Sequence, residues 1–86
     1  LRRGVEVLRV SSCTDPRKLA GAVAAVLRKY GRAVLRACGP KACHAAVKGV
    51  IAARGLTAPE GADLKFAPRF EREGGTVGIV FEVFWR

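Results

Sequence analysis

Pro16 and Pro40 stand at the same point of the same local pattern: a short apolar run, a break, then proline at the head of a stretch with helical period. Proline lacks an N–H and fixes φ, so it fits the first turn of a helix and is costly further in. Each proline therefore marks where a strand has ended and a helix begins. Strands joined through a crossover helix lie parallel, and the connection is right-handed in nearly all known cases. The pattern thus predicts both helices on one face of a sheet, with both helix N-termini opening at the same edge.

Residues 4–10 alternate and are rich in valine, which predicts a strand with Leu8 and Val10 on one face and Val5 and Val7 on the other. Thr14 or Asp15 can cap the helix that starts at Pro16. Its apolar stripe is Leu19, Val23, Val26, Leu27 and Tyr30, one face of a 3.6-residue period, and Gly31 ends it after about Lys29. Residues 33–38 are apolar apart from Arg36 and read as a buried strand. Gly39-Pro40 opens a second helix over about 40–54, closed by Gly55 as a C-terminal cap. Cys43, Val47, Val50 and Ile51 are its expected core stripe, with Lys41, Ala45, Lys48 and Ala52 opposite. Residues 57–61 read as a loop.

The last third alternates at period two on either side of Gly74-Gly75, over 63–72 and 76–85, the pattern of a β-hairpin. Leu64, Phe66 and Phe70 line one strand; Val77, Ile79, Phe81, Val83 and Trp85 line the other. The expected fold is α/β, a two-layer sandwich in the order β-α-β-α-β-β, with a mixed four-stranded sheet and two helices on one face. An 86-residue chain forms one domain, 1–86. A domain this small buries only about 60–65% of the surface its unfolded chain exposes, and self-association can supply burial the monomer lacks.

Charge is unevenly placed. Residues 1–57 hold twelve Lys/Arg against two acids, and residues 58–86 hold four against five. Local basicity favours an anionic partner, most often nucleic acid. No stretch has the length of a membrane span, and no signal-peptide apolar region is present. Three cysteines, Cys13, Cys38 and Cys43, are an odd number, which speaks for a reducing, intracellular setting such as cytoplasm or nucleoid. The absence of an initiator methionine suggests a processed product or a segment of something longer.

The cations with most to offer a phosphate are those at the edge where the helices begin. Ser11, Ser12, Arg17 and Lys18 follow the first strand; Gly39 and Lys41 follow the second. Backbone N–H groups and the helix dipole make such an edge attractive to anions, whereas cations in a first turn oppose the dipole. That local cost points to another use for Arg17, Lys18 and Lys41; the alternative is that each is an ordinary solvated cation. Lys48, two turns on from Lys41, extends the track, and Arg36 is a possible further contact. Arg28, Lys29 and Arg32, at the far end of the first helix, read as structural or solubilising. Arg2, Arg3 and Arg9 are weak candidates.

Gly21, Ala22 and Ala25 make one face of the first helix smooth, for close packing on the second helix or for a dimer contact. Val5, Val80 and Phe84, on the sheet face away from the helices, amount to an apolar surplus that a homodimer would cover. Cys38, Cys43 and His44 do not have the spacing of a zinc site, so no metal is expected, nor any cofactor. The acids are scattered, there is one histidine, and the glycines form no nucleotide-binding pattern. An enzyme is not expected.

Three blocks then carry a family resemblance: Asp15-Pro16-Arg17-Lys18-Leu19-Ala20-Gly21-Ala22-Val23-Ala24-Ala25-Val26-Leu27-Arg28, Glu6-Val7-Leu8-Arg9-Val10-Ser11, and Ala53-Arg54-Gly55-Leu56-Thr57-Ala58-Pro59-Glu60-Gly61-Ala62-Asp63-Leu64. With the Ala46-Val47-Lys48 step, they resemble the stage V sporulation protein S family. That family is similar to the Alba superfamily of small dimeric nucleic-acid-binding proteins. The resemblance implies an Alba-like sandwich, a nucleic-acid-binding homodimer and a role in sporulation. By position it assigns contacts to Arg17 and Lys18 and to Gly39 and Lys41. His44-Ala45 departs from the Asn-Gln pair usual in the family. Arg69 and Arg72 alternate with Glu71 and Glu73 around a short turn, unlike the long cationic hairpin of Alba proteins, so contact with phosphate is expected without groove insertion. The alternative is a structural subunit of a larger ribonucleoprotein assembly, with the sheet face docking a partner.

Overall fold

A computed structural model describes residues 7–86. In chain order these form β1 (Val7–Val10), α1 (Pro16–Tyr30), β2 (Arg32–Ala37), α2 (Pro40–Thr57), a single 3-10 turn (Ala58–Glu60), β3 (Lys65–Glu73) and β4 (Thr76–Phe84). The strands lie in the order β1-β2-β4-β3. β1 is parallel to β2, β4 is antiparallel to β2, and β3 is antiparallel to β4. This is the α/β sandwich with a mixed four-stranded sheet that the periodicities predict. Residues 4–6 of the first expected strand, and Arg2 and Arg3, lie outside the described residues.

Pro16 and Pro40 both occupy the first helical turn. Asp15 caps α1, its carboxylate accepting from the Arg17 N–H at 3.0 Å. Gly31 closes α1 in the left-handed conformation (φ 78°), its N–H donating to the Leu27 carbonyl. The inward face of α1 is Leu19, Ala20, Val23, Ala24, Val26 and Leu27. Tyr30, expected on that stripe, is 40% exposed, and Lys29 lies over its ring. Leu27, Leu35, Val23 and Val83 are among the largest fully buried side chains. Burial of a side chain of this size stabilises by about 1.5–3 kcal/mol.

α2 departs from its expected description in two respects. Its inward stripe is made of small residues, Ala42, Ala45, Ala46, Gly49, Val50 and Ala53, while Ile51 is 61% exposed and Cys43 and Val47 are half-buried. Ala45, expected on the outer side, is inside. The cause is the closeness of α1: a Cβ on Gly49 would stand 2.5 Å from Leu19 Cδ2, so only a stripe without bulk lets the helices meet. Gly55 is also no cap. The helix runs on to Thr57, whose buried hydroxyl donates to the Ala53 carbonyl at 3.0 Å, and the expected loop is a helical end tightened into 3-10 geometry. Gly61, at φ 85°, stops it.

The smooth face of α1 does not take part in that packing. Gly21, Ala22 and Ala25 are exposed, and nothing lies within 4 Å of where a Gly21 Cβ would be. The stripe on α2 performs the close approach instead.

Gly74 and Gly75 turn the hairpin with φ of 55° and 83°, the two positive values a tight type I′ turn requires. β4 directs Phe81 and Val83 into the core. Of the apolar residues expected to line β3, Leu64 is buried just before the strand, but Phe66 and Phe70 are exposed. The helices make their main sheet contacts with β1 and β2, and the edge strand lies beyond that cover.

Candidate anion-binding cleft

Because β1 and β2 are parallel and each feeds a helix, their C-terminal ends share one edge of the sheet, and β4 begins beside them. There a cleft of about 970 Å³ is lined by Arg9, Val10, Ser11, Ser12, Arg36, Cys38, Gly39, Pro40, Lys41, Ala42, Thr76 and Gly78. It brings together Ser11, Ser12, Arg36, Gly39 and Lys41 from the expected set. Arg17, Lys18 and Lys48 are exposed but do not line it. Arg9 and Thr76 are further wall residues. Period-two alternation in β1 already set Arg9 opposite Leu8 and Val10, and strand order alone brings Thr76 to this edge.

The two helix starts differ in what they leave open. At α1 the Asp15 carboxylate already meets the dipole and one orphan N–H. The preceding turn is tied internally: the Ser11 N–H donates to Thr14 Oγ1 at 2.8 Å, Cys13 N–H to Ser11 Oγ at 3.2 Å, and Thr14 N–H to the Ser11 carbonyl at 3.1 Å. At α2 the cap is Gly39, with no side chain to donate or accept. Cys43 N–H reaches the Gly39 carbonyl at 3.0 Å, which leaves the Lys41 and Ala42 N–H groups without an acceptor inside the helix. Gly39 holds φ 91° and ψ 157°, a region open to glycine and strained for other residues. The positive end of α2 is thus uncapped in a cleft where Lys41, Arg9 and Arg36 converge.

At the opposite end of the molecule two of the arginines are ion-paired. Arg28 grips Glu60 through Nε and Nη2, with the shortest contact 2.7 Å, and joins the end of α1 to the 3-10 turn. This pairing raises the Arg28 pKa and lowers that of Glu60. Arg32 lies 3.3 Å from Glu82.

Of the apolar surplus expected on the sheet face away from the helices, Val5 lies outside the described residues, Val7 on the same face is 52% exposed, and the other two side chains are covered. Val80 is only 2% exposed, and Phe84 is half-buried. Ion pairs cross this face: Arg36 Nε lies 3.1 Å from Glu71 Oε1, and Arg69 lies 3.4 Å from Glu82. In the sheet register Val80 lies between Arg36 and Arg69, long side chains whose charged ends are ion-paired on this face. The exposed apolar side chains of the hairpin, Phe66, Phe70 and Val77, belong to the helix side of the sheet.

Among the described residues no group of three or more His, Cys, Asp or Glu side chains could hold a metal ion, and no helix is long and apolar enough to cross a membrane. The three cysteines are free. Burial, and secondarily the neighbouring Cys38, pushes the Cys43 thiol pKa up.

The family model for stage V sporulation protein S matches residues 6–85, nearly the whole chain. The matched span includes both helix starts, the cleft and the hairpin, and the chain belongs to the stage V sporulation protein S family.

Proposed function

We propose that this protein binds nucleic acid through backbone phosphates, using the cleft at the start of α2. The uncapped α2 N-terminus facing Lys41, Arg9 and Arg36 carries the proposal, because a phosphate there accepts from free N–H groups and is flanked by cations. Arg17, Lys18 and Lys48 stand outside the cleft wall as flanking cations for neighbouring phosphates. The chain contains no Asn and no Gln, the residues best suited to reading adenine, and its cations are assigned to phosphates, so little base specificity is proposed. Three free thiols suit a reducing compartment.

The working form is a homodimer whose contact includes the hairpin surface of Phe66, Phe70 and Val77. Phe70 is 77% exposed, and aromatic side chains left in water on an edge strand favour a partner. Sedimentation of wild type and Phe70→Glu tests this part: a dimer that the variant converts to monomer supports it, and a monomeric wild type refutes it.

Binding is tested by titrating labelled nucleic acid with wild type and an Arg17→Ala/Lys41→Ala variant at two salt concentrations. For duplex DNA, log K falls by about 0.9 per log unit of salt for each phosphate neutralised. The variant should bind more weakly and show a shallower slope; equal affinity and slope would rule out this surface.

A further inference from the structure

We infer that the binding surface continues from the cleft onto the outer face of the sheet, and that its ligand there is a single-stranded nucleic acid running from Lys41 past Arg9 and Arg36 to Arg69. This rests on the reading of the cleft given above. Strand register sets Arg9 beside Arg36, Arg36 beside Val80, and Val80 beside Arg69, so three arginines form one row across all four strands. With strands about 4.8 Å apart, the row is about 14 Å long. A second hollow, of about 360 Å³, contains this row. Arg9 and Arg36 line both hollows, which makes the surface continuous around the sheet edge.

The charges along this row are unequally compensated. Arg36 lies against Glu71, and Glu82 is shared between Arg32 and Arg69. Arg9 has no ion-pair or hydrogen-bond partner among the described residues, and it sits where the two hollows join. The path bends from the strand ends onto the flat of the sheet. Duplex DNA, with a persistence length of about 50 nm, does not follow so tight a corner, whereas a single strand does.

Fluorescence anisotropy with labelled oligothymidylate, oligouridylate and a duplex distinguishes the outcomes. Arg69→Gln, which lies on the outer face and outside the cleft, should weaken single-strand binding roughly three- to tenfold and lower its salt slope by about 0.7. Glu82→Gln, which removes an acid from the same face, should tighten it. If both variants bind single strands like wild type while Lys41→Ala is weakened, the outer-face extension is wrong and the cleft stands. If Arg69→Gln costs a duplex as much as a single strand, the single-strand assignment is wrong. No saturable binding by wild type overturns both the extension and the cleft.

Discussion

Gly49 of α2 lies against Leu19 of α1 so closely that a methyl group on Gly49 would stand 2.5, 2.9 and 3.3 Å from Leu19 Cδ2, Cγ and Cβ. Rotating the leucine moves Cδ2 but not Cβ, so the crowding has no full relief. Alanine in a helix normally gains roughly 0.5–1 kcal/mol over glycine, but overpacking a core costs typically about 1–3 kcal/mol. Gly49→Ala should therefore lower the thermal midpoint, and a raised midpoint would show that the helices are not in this contact.

Gly55 and Gly31 should respond to alanine in opposite directions. Gly55 is a helix-interior position with open space around it, so Gly55→Ala should stabilise by about 0.5–1 kcal/mol. Gly31 is the left-handed cap of α1, and Gly31→Ala should destabilise by about 1 kcal/mol. Denaturant unfolding of the two variants reads both signs; destabilisation by Gly55→Ala would restore that residue as a cap.

The Arg28–Glu60 pair gives stability a pH dependence of known sign. The hydrogen bond from Arg28 holds the Glu60 pKa below its ordinary value. A carboxylate depressed in the folded state stabilises fully above its unfolded pKa, and that contribution fades as pH falls through the folded value. Both groups are exposed, so the effect is small. Glu60→Gln should melt below wild type at neutral pH, with the gap closing in acid; a gap that widens on acidification would contradict the pairing.

The sequence was most legible where bulk marks a face. Leu19, Val23, Val26 and Leu27 define the inward side of α1 because each is large and apolar, and β4 shows its core side through Phe81 and Val83. On α2 the same reasoning chose Ile51 and missed Ala45, because the face that packs is the one without bulk. Hydropathy periodicity weights size, and a helix pressed against its neighbour through Gly49 inverts that weighting. Val80 misled for a different reason: its strand position is outward, yet it is only 2% exposed, set between Arg36 and Arg69 on the neighbouring strands. The cleft was half legible. Ser11, Ser12, Gly39 and Lys41 follow from chain order and Arg9 from its alternation in β1, whereas Thr76 joins them only through strand order.

The central claim is that phosphate binds at the start of α2, and amide chemical shifts during titration with an oligonucleotide at low salt test it most directly. The amides of Gly39, Lys41, Ala42 and Ser12 should move saturably, while those of Arg28, Gly31 and Glu60 at the opposite end, around the Arg28–Glu60 pair, stay in place. Shifts concentrated at that opposite end, or no saturable shifts at all, would contradict it.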